Sequence, residues 1–293
     1  MAANNKFTRL VGRERGDAVP GAVSSTGTQP TTAAAALALL DIAEGLWYWR
    51  LWGRMGWQDI KQRYRRSVLG PFWLTLSMGI LVGSLGVLYG VLFGIPIDDF
   101  LPFLTLGFLA WMLISGGITD GCMAFINSAQ FIKQIKLPFS TFVYREVWRN
   151  LIIFVHNSVI FLIVAVVFGI WPGAAALLLL PGLVLLAINA VWVGFLLGMV
   201  CARFRDVPQI VASLLRVAFF MTPIIWKPEL LGKRTGFVDM NPLFHFIELV
   251  RAPLLGQVPA PLTWTVVLAT TAGGWFITLL FFRRFRSRIP YWV

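Results

Sequence analysis

The chain holds a single Gly-Lys step, Gly232–Lys233 in LGKRT, and the sequence around it does not suit phosphate chemistry. A nucleotide-binding loop needs a glycine-rich run ahead of the lysine and a Ser or Thr behind it. Here the run is missing and Arg234 follows. Metal chemistry is no better supplied, because two histidines and two cysteines in 293 residues form no cluster with ligand spacing. No nucleophile–base constellation is visible. His245, Glu248 and Arg251 recur at helical spacing, which reads as a solvated salt-bridge face in preference to a catalytic group. Two ionisable residues, Asp120 and Arg216, interrupt otherwise uncharged sequence. Arg216 could face inward and attract an anionic group; it could equally snorkel to the inner surface or pair with Asp206 or Asp120.

The elements that carry these residues are apolar blocks. The chain is 58% hydrophobic and 13% charged, with a mean hydropathy of +0.76, where a soluble domain carries about a quarter charged residues. Six blocks stand out, at 72–93, 100–122, 151–170, 174–200, 207–226 and 262–282. Each reaches about twenty residues, enough at 1.5 Å per residue to cross a hydrocarbon core of roughly 30 Å. They are too long and too continuously apolar for barrel strands, so the expected fold is an all-α integral membrane protein with six transmembrane helices.

The net charge of +12 is a topology signal and no sign of nucleic-acid binding. Ten Lys and Arg precede the first block, four lie between the second and third, three around the fourth-to-fifth connection and four after the last. Six crossings put all of these on one side. The opposite side has only the four between blocks five and six. By the positive-inside rule both termini are cytoplasmic. Cys122 and Cys201 then lie at cytoplasmic span ends, where a disulfide framework is not expected. Residues 1–45 read as a disordered or weakly ordered cytoplasmic extension, because GDAVPGAVSSTGTQPTT has linker composition. The AAAALALL run is too short, and wrongly flanked, for a cleaved signal peptide. Residues 46–71 hold an amphipathic helix and connector. Trp49 and Trp57 lie beside Arg50 and Arg54 there, a combination that places a helix flat in the headgroup layer; packing on another protein domain is the alternative.

YRRSVLGPFW at 64–73 resembles the stretch that opens the membrane subunits of ATP-binding-cassette exporters for polysaccharides and polyol phosphates, the permeases for O-antigen, capsule and teichoic acid. The resemblance continues in order through NSAQFIKQIKLPFS (127–140), RFRDVPQIV (203–211), FFMTPIIW (219–226), MNPLFHFIELVRAPLLG (240–256) and RSRIPYWV (286–293). It covers residues 46–293 and leaves the N-terminal extension outside. It implies a six-span domain over 72–293 that works as a homodimer with two copies of a cytoplasmic ATPase. ATP and Mg would be bound on that partner, and no cofactor on this chain. It further implies a coupling segment at 127–140 and short external gate helices within 226–257. The implied location is the bacterial inner membrane, and the cargo a lipid-linked glycan. A drug or small-lipid exporter is the alternative. A secondary transporter is disfavoured because midplane carboxylates are missing.

Residue by residue, the coupling candidates are Asn127, Gln130, Phe131, Ile132, Lys133, Lys136 and Pro138, with Phe131 and Ile132 as an apolar knob and Arg63, Arg65 and Arg66 as a second contact. A glycan channel would use aromatic faces, which grip sugar C–H surfaces without strongly directional bonds. Trp73, Tyr89, Phe93, Phe108, Trp111, Phe219 and Phe220 are the candidates, with Arg216 among them. The gate candidates are Pro223, Trp226, Asn241, Pro242 and Phe244. Small residues at four-residue spacing, Gly79/Gly83, Gly86/Gly90 and Gly194/Gly198, permit close helix approach and fit a dimer.

Overall fold

The computed structural model describes residues 31–63, 65, 72–230 and 236–293, and the regular elements among them are all helical. Two helices, α1 (Thr31–Trp47) and α2 (Trp49–Arg63), precede the apolar blocks. They are followed by α3 (Phe72–Phe93), α4 (Ile97–Met123), the six-residue α5 (Ala129–Gln134) and α6 (Ser140–Phe168). A 3-10 turn at Gly173–Leu178 leads into α7 (Leu179–Arg203), and α8 (Val207–Met221) comes next. The chain closes with α9 (Gly236–Asp239), α10 (Pro242–Leu254), α11 (Pro261–Phe285) and α12 (Ile289–Trp292).

Local chemistry sets the ends. Asp98 and Asp99 occupy the first turn of α4, where carboxylates meet the positive end of the helix dipole. Gly169, at φ 66°, stops α6 in the left-handed conformation that only glycine adopts cheaply. Asn241 caps α10 by accepting the Leu243 N–H, with Pro242 in the first turn where a missing N–H costs nothing.

Among the described residues, five helical stretches are long and apolar enough to span a bilayer: Thr75–Phe93, Ile97–Met123, Ser140–Phe168, Gly173–Arg203 and Pro261–Trp292. The expected fifth block behaves differently. Its helix ends at Met221, giving 15 residues and about 22 Å. The remainder to Trp226 leaves the helix at Thr222, whose backbone is extended. The third span also starts earlier than expected, at Ser140, so Arg145, Glu146 and Arg149 belong to the helix and not to a loop. In the N-terminal extension, residues 1–30 lie outside the described residues. Its end is ordered helix: Ala38 and Asp41 of α1 are buried.

The core has two layers. One joins Val82, Leu104, Phe108, Ile160, Leu186, Phe246 and Val267 from α3, α4, α6, α7, α10 and α11, with Ile224 from the segment after α8. The other gathers Ala38, Phe125, Phe142, Phe195, Phe282 and Ile289, which links α1 and α12 to the span ends. Val91, Val166, Val167 and Phe276 are exposed, as lipid-facing residues should be. Pairs along α7 and α11 run in ascending order. Asn189 donates to Thr271 Oγ1 (2.7 Å), Thr278 donates to the Trp192 carbonyl (3.2 Å), and the Phe195 and Phe282 rings lie 4.8 Å apart. The two helices therefore run in the same direction.

Glycines set the closest approach. A Cβ on Gly121 of α4 would sit 2.9 Å from the Gly194 Cα of α7, and one on Gly198 would crowd the Phe125 ring at 3.0 Å. The Gly194/Gly198 pair is thus used within one chain, not between copies. Gly83 has open space beside it.

Candidate functional site

The segment expected to couple to an ATPase leaves the bundle between α4 and α6. Asn127, Gln130, Lys133 and Lys136 are exposed on it, and Pro138 is buried at its exit. Phe131 is 41% exposed, large for an aromatic ring on a protein surface. Ile132 does not join it in an apolar knob; its side chain packs inward with Leu137, Phe139 and Trp292. An i,i+1 pair cannot share a helix face, which is why the two separate. Of the second contact, Arg65 is exposed. Arg66 and the Arg63 side chain lie outside the described residues.

Helix α2 has two distinct faces. Trp49, Arg50, Arg54 and Trp57 are exposed together, with the Arg50 guanidinium 5.3 Å from the Trp49 ring and the Lys61 ammonium 5.8 Å from Trp57. The opposite face packs on α6, Gly56 lying against Trp148 and the Arg145 carbonyl. The helix begins at Trp49 and not Leu46, because the chain turns at Tyr48.

Beneath α2 lies a network of largely buried charges. Arg145 donates two hydrogen bonds to Asp59, both 2.6 Å. Arg149 pairs with Glu146 and with Asp120 (2.8 Å), and approaches Asp59 at 3.6 Å. Asn150 adds a 2.9 Å bond to Asp120. Three helices, α2, α4 and α6, meet through these side chains. Asp120 is therefore engaged with Arg149. Arg216 instead donates to Ser213 one turn away (2.8 Å) and stays exposed on α8.

At the other end of the bundle, α10 and its approach form a tightly bonded unit. The Asn241 side chain donates to Thr222 Oγ1 (2.9 Å), and Trp226 donates to the Phe220 carbonyl (3.1 Å). Phe244 stacks edge-on against His245, their rings 5.3 Å apart. His245 is buried between Thr263 Oγ1 (3.0 Å) and the Asp239 carbonyl (2.9 Å). Arg251 is only 1% exposed. It donates to the Pro223 carbonyl (2.8 Å) and Glu248 (3.1 Å), and its guanidinium lies 3.8 Å from the Phe103 ring centroid. Burial pulls its pKa below the usual value, while Glu248 acts in the opposite sense. The expected solvated face is therefore a buried anchor, because α10 lies against α4 and not in water.

The aromatic candidates separate into groups. Phe108, Trp111, Phe219 and Phe220 form one cluster between α4 and α8, with centroid separations of 5.2 to 5.6 Å. Tyr89 and Phe93 stack at 5.4 Å in a second cluster that reaches Phe100. Trp73 stands exposed at the start of α3, joined to neither. Phe108 and Trp111 are buried, leaving Phe220 as the exposed ring of its cluster.

Residues 50–255 match the family described as ABC-2 type transporter. The chain belongs to that family. It is 27% identical over 199 residues to the O-antigen export system permease protein RfbA of Myxococcus xanthus, covering 67% of this chain and 76% of the relative. Over 195 residues it is 24% identical to an RfbA permease of Klebsiella pneumoniae, covering 65% and 74%. As an ABC-2 permease it is a multi-pass membrane subunit and not an enzyme, and its energy comes from a separate ABC ATPase. Asp59, Arg145, Glu146 and Arg149 are not singled out at the sequence level, and Arg251 reads there as part of a solvated face. Their pattern does contain a signal: Arg145 and Arg149 lie four apart just ahead of an apolar block, as a helix extended past the membrane would place them.

Proposed function

We propose that this permease moves a lipid-linked, O-antigen-like polysaccharide from the cytoplasm to the outer side of the bacterial inner membrane. The observation that carries the reading is α5, a short helix between two spans that offers the exposed Phe131 to a partner. The cargo follows from relatives named for O-antigen export. In this reading two copies of the chain work with two copies of a cytoplasmic ATPase that holds the ATP and Mg.

We read six crossings, with both termini cytoplasmic. Supporting this, Arg205, just past α7, donates to the Trp292 carbonyl at the chain's end (3.1 Å), so the two C-terminal ends adjoin. A Cβ on Gly256 would lie 3.5 Å from the Pro172 carbonyl, so the start of α11 is near the start of α7. The chain must return between Arg203 and Gly256, and α8 is the element available. The bonded unit around α10 then serves as the external gate.

Helix α8 buries none of its residues within one chain. Gln209, Ser213, Arg216 and Phe220 form an exposed stripe along it. Polar groups facing lipid are costly, which supports turning this stripe toward the second copy and the transport path. Deleting the permease gene should abolish surface polysaccharide and accumulate polymer inside the cell, with the full chain restoring export. Normal surface polymer in the deletion strain would rule out this cargo. Phe131→Ala should reduce co-purification of the ATPase, or separate hydrolysis from export, at unchanged membrane levels.

A further inference from the structure

Asp41 is 2% exposed, in a segment outside the stretch matched to the family. A buried carboxylate costs several kcal/mol unless it is paired and hydrogen-bonded, so its partners show what the position requires. One oxygen accepts the backbone N–H of Ser140 (3.0 Å). Ser140 opens α6, and its N-cap Phe139 makes no side-chain cap bond. Asp41 therefore satisfies an orphan donor of α6 from another helix. The second oxygen accepts Arg286 Nε (2.9 Å) and Nη2 (2.8 Å), immediately beyond α11. Two more bonds join the helices: Ser140 Oγ donates to the Asp41 carbonyl (2.6 Å), and Tyr144 donates to the Ile42 carbonyl (3.0 Å). Close approach is possible because residue 45 is glycine; a Cβ there would overlap the Ser140 hydroxyl.

This joint sits at the exit of the proposed coupling segment. Phe139, next to Ser140, lies with its ring 5.6 Å from the Arg286 guanidinium. Helix α12 touches α5, and Ile132 and Trp292 share one apolar cluster. Helix α5 is thus backed by the C-terminal helix, and its exit is fixed through a single carboxylate to α1, α6 and the end of α11.

We propose that Asp41 is a positioning residue for energy coupling. It makes the exit of α5, the start of α6 and the end of α11 move as one body, so a displacement delivered at Phe131 reaches two spans. Without it, the displacement is absorbed by rotation around Pro138. The proposal rests on the reading of α5 as the ATPase contact.

The test uses the full-length permease co-expressed and reconstituted with its ATPase, comparing Asp41→Ala, Asp41→Asn, Arg286→Ala and Phe131→Ala. Asp41→Ala should retain wild-type ATPase co-purification and hydrolysis, while polymer exported per ATP falls about tenfold, which corresponds to ~1.4 kcal/mol. Asp41→Asn keeps an acceptor for Ser140 but loses the charge opposite Arg286, and should fall about threefold, as should Arg286→Ala. Amide exchange across residues 129–140 should rise in the same order, a readout independent of transport. If Asp41→Ala does not accumulate, Asp41→Asn decides: wild-type export per ATP with unchanged exchange overturns the proposal. A fall in hydrolysis and export together, in proportion to protein level, overturns it in favour of a purely structural role. If Phe131→Ala disturbs coupling and the Asp41 variants do not, only this inference fails. If Phe131→Ala is itself silent in binding and export, the coupling reading fails with it.

Discussion

Replacing Arg251 by methionine keeps an apolar stem of similar reach and removes the guanidinium that ties α10 to α4. Three contacts disappear. The bond to the Pro223 carbonyl (2.8 Å) is charge-assisted and fully buried, and leaving that carbonyl unpaired costs about 1.5–3 kcal/mol. The Glu248 side chain is 20% exposed and can take water in exchange, so its ion pair is worth ~1 kcal/mol or less. The guanidinium over Phe103 at 3.8 Å contributes about 1–2 kcal/mol. These values overlap, because one group makes all three contacts, and removing a buried charge recovers part of its desolvation cost. A net loss of ~2–4 kcal/mol follows. Arg251→Lys retains charge but has no fork to reach both partners, and should lose about half as much. Unfolding of the purified permease in SDS titrations measures both. The apparent loss should fall on the α10 region first, seen as faster amide exchange over 242–254. A methionine variant within ~0.5 kcal/mol of wild type, with unchanged exchange there, would refute the anchor, since surface substitutions commonly stay within that margin.

Two further perturbations follow from the packing. Gly121→Leu must separate α4 from α7, because even its Cβ would lie 2.9 Å from the Gly194 Cα; we expect a loss of ~3 kcal/mol or more, whereas Gly83→Ala, with open space beside it, should be neutral in the same titration. Arg149→Met leaves Glu146 and Asp120 without their shared cation, and should cost about 3–5 kcal/mol in that titration, with Arg149→Lys intermediate.

Much of the architecture was legible because a bilayer imposes it. An apolar block has to satisfy its own backbone, so each block is helical over most of its length. Block boundaries were less legible wherever a helix continues past the hydrocarbon. Composition marks the start of apolarity at Leu151, but hydrogen bonding begins at Ser140, and the intervening turns carry Arg145, Glu146 and Arg149. The fifth block illustrates the opposite error: apolarity runs on to Trp226, while the helix stops at Thr222, whose hydroxyl and backbone are committed to Ala218 and Asn241. Asp41 and Arg251 were illegible for a shared reason. Each pairs across a distance that no periodicity reports, 245 residues to Arg286 in one case and 28 to Pro223 in the other.

The same comparison separates two ways of holding a helix in this protein. Between the long spans, apolar packing and close glycine contacts cover most of the interface, with Arg149–Asp120 joining α6 to α4 and Asn189–Thr271 joining α7 to α11. The accessory helices add a buried or half-buried charge to their apolar contacts. Helix α1 is joined through Asp41, α2 through Asp59 to Arg145, and α10 through Arg251. Each joint is a charged group sunk among polar partners, with strict direction and little tolerance for sliding. Apolar faces can shift register at small cost, but a buried ion pair either holds its geometry or breaks. The ABC-2 permease therefore places a charged joint, buried or half-buried, at each of α1, α2 and α10, the parts that flank the proposed coupling segment and gate.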